Sequence, residues 1–597
     1  MPSRLFHRQI LEKALEYGDE VALTDGACGK SLTFADVRRQ SFALAKYLKE
    51  KHGVGKGDIV LCFMPNSLHY PIIFLAAALL GATQTGVNPE FGSTELANVI
   101  KRVKCKCIFA EAEFLPAVVD AVQGQKNVIP LYVFHKLGKH DGVSFEELMD
   151  ELPIKPMDDE VDIAADAELT EDALLLTPLS SGTTGSPKCV MLTHRNFNVQ
   201  TEILKETIFD KIAERGGRGR STIAVLPFYH ASGFWALCYC LLSGNRTIVM
   251  ERFQAPLMLS CIEDYKIDTL NVVPSIVTFL LKNDRFIQEF DLSSVRIVLC
   301  GSAPISKEQV QTFLSRYPHV TNFVHGYGLT EIVALSHLSP LDLPLDDEKH
   351  ITSCGKLLPR FECKVVCPDT GELIEQPGER GELWLRSECV MKGYLGEPEI
   401  TAECIDTDGF FHTGDLVSFD ADGFFFVIER LKNVIKVNGL QVSPIELENL
   451  LLAHDHVLEA AVIGVPVEGF GEVPRAFVVL RDAEDEFEAV SQLRSFIHAN
   501  VAPHKQLRGG IKLLPKLPRT QAGKVLREEL RRMKSTELPG EDVVTAVAGL
   551  RVDVDRNNNN KDGHKEEGFA EEKEVRIFHD HERSSGEEDE DEAETFL

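Results

Sequence analysis

The spacing of apolar residues predicts that helices and strands alternate along the first half of the chain. Residues 33–51 repeat apolar side chains at helical spacing, and an apolar run typical of a strand follows at 58–64. The alternation continues with helices beginning near Tyr70 and Pro116. It returns in later apolar runs at 221–228, 246–250, 268–273 and 295–301. Strands alternating with helices are typical of parallel sheets covered by helices on both faces.

The pattern changes from about Gly378. Short apolar runs are joined there by Asp408-Gly409 and Asp422-Gly423, which are turn signals typical of hairpins. After Arg430, a helix that begins at a proline, two apolar runs and another helix predict a smaller α+β unit. The predicted fold class is α/β, with a large N-terminal domain of parallel-rich βα sheets and a β-rich subdomain, followed by a small C-terminal α+β domain. The predicted boundaries are 1–430 and 431–534.

The charge of the chain is concentrated at its end. The 597 residues carry a formal net charge of −29, and residues 551–597 contribute 17 acidic and 7 basic side chains, a net charge of −10. Low hydrophobicity with repeated like charges predicts a disordered acidic tail over 535–597. The acidic body argues against nucleic acid or an anionic membrane surface as a partner, because both require positive potential.

Cysteine spacing and the termini suggest an intracellular protein. The 14 cysteines show no paired Cys-x-x-Cys with zinc-finger spacing, so we expect reduced thiols. The N-terminus has no secretory signal, and the apolar run from Tyr70 is shorter than the roughly 20 residues of a membrane-spanning helix, so no transmembrane segment is predicted. We expect a cytoplasmic location. A peroxisome is the alternative, although the final residues 595–597 do not match Ser-Lys-Leu.

The segment Ser180–Lys188, with the sequence SSGTTGSPK, carries the first chemical signal. It connects two apolar runs, and its glycines allow successive backbone N–H groups to turn toward an anion while the hydroxyls and Lys188 add donors. This composition predicts polyphosphate binding. The spacing differs from that of a Walker A loop, and a plain Ser/Gly linker is the alternative.

Further motifs follow in a set order, and together they resemble the adenylate-forming superfamily. That superfamily includes acyl-CoA synthetases, 4-coumarate–CoA ligases, firefly luciferase and peptide-synthetase adenylation domains. The resemblance runs from about Leu32 to Leu530 and is strongest to the acyl-CoA and 4-coumarate–CoA ligase branch. The motifs after the loop are PFYH (227–230), GSAP (301–304), HGYGLTE (325–331), HTGDL (412–416), ERLKNVIKVNGLQVSPIELE (429–448) and PRTQAGKVLREEL (518–530).

The resemblance implies a reaction in two halves, with ATP, Mg²⁺ and coenzyme A as cofactors. A carboxylate attacks the α-phosphorus of ATP to give an acyl-adenylate and pyrophosphate, and the coenzyme A thiol then displaces AMP. Phosphate binding would fall to Ser181, Gly182, Thr183, Thr184, Gly185 and Lys188. Thr330 would donate to the α-phosphate, and Thr184 and Glu331 would hold Mg²⁺, which prefers oxygen ligands.

The nucleoside and the acid would be held by later motifs. Asp415 would accept hydrogen bonds from both ribose hydroxyls, Arg430 would help to hold the ribose or a phosphate, and Tyr327 would stack on adenine. His230 would line the acyl pocket or gate it, and Trp235 would line the same pocket. Residues bordering the adenine would be Gly301, Ser302, Ala303, Pro304 and Gly328.

The resemblance also implies a mobile C-terminal domain whose lysine takes part in only one half-reaction. Lys524 would bridge the reacting carboxylate and the α-phosphate during adenylation. Rotation about a hinge at Lys432 would then remove it and bring other residues to the thiol. These residues are Lys436, Gly439 and Gln441. The chain departs from the family pattern at Cys189, where a Cβ could crowd the loop, and at Glu429 and Asn438.

Two other functions remain open from the sequence. A luciferase-like monooxygenase would use the same adenylation step, and a non-catalytic scaffold would act through the acidic tail. Retention of Lys188, Glu331, Asp415 and Lys524 argues against the scaffold. The sequence does not choose between aromatic acids and medium- or long-chain fatty acids as substrates, and it leaves the oligomeric state open.

Overall fold

The fold is given by a computed structural model that describes most of the chain up to Met533. The predicted acidic tail therefore lies outside the described residues. The described ranges are 5–123, 128–135, 143–152, 169–180, 187–216, 220–282, 284–303, 305–347, 349–437, 440–467, 471–481, 486–519 and 524–533.

Helices form where apolar residues recur every three or four positions and a capping residue precedes them. Before the second helix, Thr33 Oγ1 accepts from the Asp36 amide at 3.0 Å, and Asp36 Oδ2 accepts from the Thr33 amide at 3.0 Å. The helices are α1 (Phe6–Tyr17), α2 (Phe34–His52), α3 (Tyr70–Leu79), α4 (Ser93–Val103), α5 (Leu115–Val122), α6 (Phe145–Glu151), α7 (His194–Leu204), α8 (Asp210–Gly216), α9 (Ala231–Ser243), α10 (Ala255–Asp264), α11 (Pro274–Lys282), α12 (Asp284–Ile287), α13 (Lys307–Arg316), α14 (Pro398–Cys404), α15 (Pro444–Leu452), α16 (Glu486–Asn500) and α17 (Arg527–Arg532). A π-helical turn, Lys205–Phe209, joins α7 to α8, and short 3-10 helices occupy Ala112–Phe114, Thr330–Ile332, Leu431–Asn433 and Pro503–Lys505.

Strands occupy the short apolar runs between these helices. They are β1 (Val21–Asp25), β2 (Ser31–Thr33), β3 (Ile59–Phe63), β4 (Thr83–Gly86), β5 (Cys107–Glu111), β6 (Leu131–Phe134), β7 (Val143–Ser144), β8 (Leu174–Leu176), β9 (Leu179–Ser180), β10 (Lys188–Thr193), β11 (Ser221–Ala224), β12 (Arg246–Val249), β13 (Thr269–Val272), β14 (Ile297–Cys300), β15 (Asn322–Tyr327), β16 (His337–Leu338), β17 (Gly355–Leu357), β18 (Glu362–Val366), β19 (Arg380–Arg386), β20 (Gly393–Tyr394), β21 (Phe411–Phe419), β22 (Phe424–Arg430), β23 (Ile435–Val437), β24 (Leu440–Val442), β25 (Val457–Val467), β26 (Gly471–Leu480) and β27 (Ile511–Leu513).

The largest sheet combines a parallel half and an antiparallel half. Its strand order is β18-β19-β21-β22-β17-β16-β15-β14-β13-β11-β12-β1-β2. Pairing is parallel from β1 through β12, β11, β13 and β14 to β15, as predicted from the alternation of strands and helices. The hairpin strands predicted after Gly378 extend this same sheet through β16 and β17. The α/β fold class is confirmed.

A second sheet is also mainly parallel, and a third belongs to the C-terminal part. The second has the order β20-β10-β8-β4-β3-β5-β6-β7, with β9 beside β10, and the third has the order β24-β23-β26-β25, with β27 beside β26. The third sheet contacts the large part of the chain, where Lys282 Nζ donates to the Leu458 carbonyl at 3.0 Å. The described residues up to Met533 pack as one compact unit.

The apolar helix at Tyr70 is a core helix. All ten residues of α3 are buried between the second sheet and its neighbours. Within the part of the chain that the structure describes, no helix has both the length and the apolar character needed to cross a bilayer. The described cysteines are free thiols and most of them are buried.

Candidate active site

A cavity of about 630 Å³ lies against the parallel half of the largest sheet. Gly301, directly after β14, and Gly328, directly after β15, border its mouth. Ligands in open α/β sheets bind at the carboxyl ends of the strands, and this mouth lies at those ends. Helix α9 covers the sheet face below it, so the cavity continues between helix and sheet.

Most of the predicted site residues that the structure describes meet at the mouth of this cavity. They come from widely separated motifs and from both the large part and the C-terminal part of the chain. The predicted residues that line the cavity are Lys188, His230, Gly301, Ser302, Gly328, Thr330, Glu331, Arg430 and Lys524. Because these segments lie up to 336 positions apart in the chain, the site forms only when the chain is folded.

Lys524 places a positive charge at the centre of this group. Desolvation by the surrounding protein lowers its pKa, as does the nearby charge of Arg430, whereas Asp415 and Glu331 act in the opposite direction. Lys524 is also close enough to His230 to depress the pKa of that imidazole. The Lys524 ammonium therefore lies near Asp415, Glu331, Arg430 and His230, which belong to different motifs of the sequence.

Glu331 is held at the cavity wall by a tyrosine that the sequence analysis missed. It lies in the 3-10 helix Thr330–Ile332, is 8% exposed, and accepts a hydrogen bond from the Tyr394 hydroxyl at 2.9 Å. Tyr394 reaches this position because β20 pairs with β10, the strand that begins at Lys188. The Lys188 ammonium lies 5.4 Å from the centroid of the same ring. Tyr394 sits in no recognised motif, and only long-range strand pairing identifies it.

Asp415, Arg430 and Tyr327 form a polar cluster behind the mouth. Asp415 and Arg430 are paired residues on β21 and β22, and Arg430 Nε lies 2.8 Å from Asp415 Oδ1. The Tyr327 hydroxyl donates to Asp415 Oδ2 at 2.5 Å. Burial raises the pKa of Asp415, an effect that Arg430 offsets. Asp415 is only 2% exposed, so its oxygens are already engaged by protein in this arrangement.

Tyr327, the residue predicted to stack on adenine, packs against His337 and donates a hydrogen bond to Asp415. Its ring packs at 5.7 Å, edge to face, on His337, and among the described residues it is absent from the cavity lining. The ring therefore supports Asp415 from behind, and the backbone of the next residue, Gly328, is what reaches the cavity.

His230 begins helix α9 beside the mouth. It occupies the position before the first helical residue, and its carbonyl accepts from the Phe234 amide at 2.9 Å. Burial lowers its pKa to about 4, and Lys524 contributes in the same direction. The imidazole is therefore neutral near pH 7 in this arrangement and can donate or accept one hydrogen bond, but it carries no charge.

Two loops at the mouth adopt backbone conformations that few residues tolerate. A Cβ at Gly328 would lie 1.4 Å from the Ala334 carbonyl oxygen, so only glycine fits there. Ser302, Val333 and Ala334 have φ angles of 72°, 52° and 86°. Strained backbone of this kind is concentrated at ligand-binding sites, because surrounding structure must maintain it.

The residues predicted to serve the thiol lie away from the cavity. Lys436 and Gln441 face each other in the β23–β24 hairpin, and both are exposed. Ala303, which is predicted to border the adenine, is also exposed and does not line the cavity. Lys432 lies in the 3-10 helix Leu431–Asn433, and burial followed by the charge of Arg430 lowers its pKa to about 8.

Glu429 anchors the connection between the two parts of the chain. Its carboxylate accepts hydrogen bonds from the Arg430 amide at 2.8 Å, the Asn433 side chain at 3.2 Å and the Ile445 amide at 3.3 Å. Ile445 belongs to α15 of the C-terminal part. The glutamate at this departure from the family pattern therefore contacts both sides of the predicted hinge.

Several predicted residues lie outside the described residues. They are Ser181, Gly182, Thr183, Thr184, Gly185, Pro304 and Gly439, together with the departure at Asn438. Ser180 and Lys188, which flank the predicted phosphate loop, both line the cavity. Cys189, the departure that follows the loop, is 1% exposed in an apolar cluster and pairs with Leu179.

Below the mouth, aromatic rings form one wall of the cavity. Trp235 and Tyr239 project from successive turns of α9, and Phe209 comes from the π-helical turn. The Phe209 ring is nearly parallel to both, with centroid distances of 5.3 Å to Trp235 and 3.4 Å to Tyr239. Trp235, which is predicted to line the acyl pocket, therefore lies in the wall of this cavity.

Comparison with known families gives the classification. The AMP-binding enzyme model matches residues 10–395, and the AMP-binding enzyme C-terminal domain matches residues 446–524. The chain belongs to the AMP-binding enzyme family. The adenylate-forming superfamily predicted from the motifs is thereby confirmed.

Relatives of this AMP-binding enzyme extend over nearly its whole length. It is 35% identical to the probable CoA ligase CCL5 of Humulus lupulus, over 87% of this chain and 91% of that protein. It is 34% identical to 4-coumarate–CoA ligase 2 of Oryza sativa subsp. japonica, over 89% and 93%. It is 33% identical to peroxisomal OPC-8:0-CoA ligase 1 of Arabidopsis thaliana, over 85% and 90%. The predicted enzyme class, an AMP-forming acid–CoA ligase, is confirmed by these relatives.

Solved structures share the fold. The anthranilate CoA ligase AuaEII in complex with anthranoyl-AMP superposes with a TM-score of 0.78 at 23% identity, over 89% of this chain and 97% of that one. ATP-bound MatB from Rhodopseudomonas palustris gives a TM-score of 0.75 at 24% identity, over 88% and 98%. The AMP-binding enzyme described here therefore has the large and small α/β parts of these proteins.

Proposed function

We propose that this enzyme activates a carboxylic acid with an extended apolar chain, using ATP to form an acyl-adenylate and then transferring the acyl group to coenzyme A. The observation that carries the proposal is the meeting of Lys524 with Thr330, Glu331 and Arg430 at the mouth of a cavity whose deeper walls are apolar and aromatic. The charged groups that would act on the phosphates therefore adjoin the space that would hold the acyl chain.

In the first half-reaction, a carboxylate oxygen forms a bond to the α-phosphorus, and the bond from that phosphorus to the bridging oxygen of pyrophosphate breaks. Both reactants are anions, so the main tasks are to align them and to offset their negative charge. Lys524 would bridge the carboxylate and the α-phosphate, and Thr330 would donate to the same phosphate. Lys188 would neutralise charge on the departing pyrophosphate.

Glu331 fits a magnesium ligand by its chemistry. It is an anionic oxygen donor at the cavity wall, and Mg²⁺ prefers such oxygens together with those of phosphates. The hydrogen bond from Tyr394 to Oε1 orients its carboxylate. When bound, Mg²⁺ would supply charge neutralisation at the phosphate oxygens.

In the second half-reaction, the coenzyme A thiol loses its proton to solvent as its sulfur bonds to the acyl carbon, and the bond from that carbon to the AMP phosphate oxygen breaks. Neutral His230 lies between the mouth and the acyl space and would exclude water while lining the thiol path. Lys524 would leave the site as the C-terminal part rotates about the Glu429–Lys432 connection. The same rotation would bring Lys436 and Gln441 toward the site.

The test is pyrophosphate exchange into ATP with a panel of aromatic and aliphatic carboxylic acids, followed by thioester detection with coenzyme A. We expect acid-dependent exchange without coenzyme A and thioester formation with it. Absence of exchange with every acid would overturn the proposal. Exchange without any thioester product would retain adenylation but overturn the assignment as a coenzyme A ligase.

A further inference from the structure

The end of the cavity remote from Lys524 is polar and contains a pair of opposite charges. Arg220, directly before β11, and Asp268, directly before β13, both line it. Arg220 Nε lies 3.2 Å from Asp268 Oδ2, and the two side chains retain 15% and 22% of their exposed surface. They stand at the amino ends of the parallel strands, opposite the mouth.

Polar side chains from neighbouring elements surround this ion pair. Tyr239 and Asn245 line the cavity on the side of α9, and Thr222 and Thr269 line it on the side of the sheet. The Thr269 hydroxyl donates to Asp268 Oδ1 at 2.8 Å, and the Thr222 hydroxyl donates to the Thr269 carbonyl at 3.2 Å. A group of donors and acceptors thus closes a space whose side walls are apolar.

The depth of the cavity follows from strand register. Thr269 pairs with Ile297 and Val272 pairs with Cys300, so Asp268 and Gly301 mark the two ends of these neighbouring strands. The separation is roughly 16 Å at about 3.3 Å per residue. An acid whose carboxylate meets Lys524 therefore reaches the ion pair only if its chain is long.

The charges determine which distal group fits. A terminal methyl group would displace water from Arg220 and Asp268 without replacing the hydrogen bonds that the water makes. This loss of hydrogen bonds raises the free energy of binding, because both side chains are charged. A second carboxylate would add a negative charge beside Asp268, where Arg220 is already paired. A neutral oxygen-bearing group avoids both costs, because a hydroxyl can donate to Asp268 and accept from Arg220 or Asn245.

We propose that the preferred acid carries a hydroxyl at the end remote from its carboxylate, bound by Arg220 and Asp268. This inference rests on the proposed function, because it assumes that the acid carboxylate lies at Lys524. The pair is a specificity site, separate from the groups that act on ATP.

The experiment compares dodecanoic acid, its ω-hydroxy derivative and dodecanedioic acid, whose extended lengths are close to the cavity depth. The readout is kcat/KM for pyrophosphate release with ATP and coenzyme A. We expect the hydroxy acid to exceed dodecanoic acid by about tenfold or more, the value of one or two hydrogen bonds to charged groups. In Arg220→Met/Asp268→Leu, we expect that ratio to fall to about one or to reverse.

A matched control removes the same kinds of charge outside the cavity. Lys266 and Asp291 form an exposed ion pair at 3.2 Å close to the start of β13, so Lys266→Met/Asp291→Leu should keep the wild-type ratio. Thermal unfolding and ATP binding by calorimetry show whether each variant is folded. If the double variant at Arg220 and Asp268 does not fold, Asp268→Asn, which has nearly the same shape, should still lower the ratio.

The outcomes separate the two proposals. Equal use of dodecanoic and hydroxy acids by the wild type, or an unchanged ratio in every folded Arg220 or Asp268 variant, overturns the inference. Preference for dodecanedioic acid overturns it in favour of an anion site. Absence of pyrophosphate exchange with every acid, including short aromatic ones, overturns the proposed function instead.

Discussion

Asp415 and Arg430 face each other across the antiparallel strands β21 and β22, and their side chains form an ion pair at 2.8 Å. Arg430 is the last residue of β22, and the connection to the C-terminal part begins directly after it. The pair therefore joins the predicted ribose-binding carboxylate to the start of the predicted hinge. A change at Asp415 should affect both nucleotide binding and stability.

We expect Asp415→Asn to lower the free energy of unfolding by about 2–3 kcal/mol, because it removes the carboxylate that pairs directly with Arg430 in a mostly buried site. Urea denaturation followed by circular dichroism measures this change. The control is Asp291→Asn, which breaks an exposed ion pair and should cost less than about 1 kcal/mol. Equal losses in the two variants would contradict the importance of the buried pair.

Replacing Lys524 should separate the two half-reactions. We expect Lys524→Ala to reduce acid-dependent pyrophosphate exchange by about 10²–10³-fold, the range found when a charge-stabilising donor is removed. Transfer from a preformed acyl-adenylate to coenzyme A should change much less. Single-turnover assays of each half-reaction make the comparison, and similar losses in both would contradict the assigned role.

The alkaline pH dependence of adenylation should report on Lys524. Only the protonated ammonium offsets negative charge, and desolvation by the surrounding protein, together with the charge of Arg430, lowers the pKa of Lys524. Exchange activity should therefore fall as pH rises through this lowered pKa, below the pH at which an ordinary lysine deprotonates. In Lys524→Arg, the residual activity should keep no such limb, because the guanidinium stays charged to about pH 12. An identical limb in both proteins would assign it to another group.

Removing the Tyr394 hydroxyl should weaken the site without removing a charged residue. Tyr394→Phe keeps the ring beside Lys188 but deletes the donor to Glu331, so we expect about a tenfold loss in kcat/KM for ATP. Titration of magnesium at fixed ATP should show a higher requirement for the metal. Tyr265→Phe is the control, since its ring lies under Arg246 and lines no part of the cavity among the described residues. Unchanged kinetics in Tyr394→Phe would show that the hydroxyl of this tyrosine does not contribute to the site.

The acidic tail should be dispensable for catalysis. Its composition predicts disorder, and the described motifs end before it. A chain ending after Lys534 is expected to retain adenylation and thioester formation close to wild-type rates. A large loss of either activity in a truncated protein that unfolds at the wild-type temperature would make the tail part of the enzyme.

The sequence by itself determined the α/β class, the order of the motifs and most residues at the mouth of the cavity. These depend on local rules, such as the hairpin turn at Asp422 and the motif spacing around Glu331 and Lys524. Local patterns survive in the sequence because each one is set by a few adjacent residues.

The tertiary structure decided which of these residues are in contact and which residues form the far end of the cavity. Tyr394 meets Glu331 only because β20 pairs with β10, and Tyr327 faces Asp415 only because β15 joins the hairpin strands through β16 and β17. Arg220 and Asp268 are 48 positions apart and meet because β11 and β13 are parallel neighbours. Strand pairing brings distant segments together through contacts that no local pattern encodes. The residues at the far end of the cavity could therefore be identified only from the folded structure.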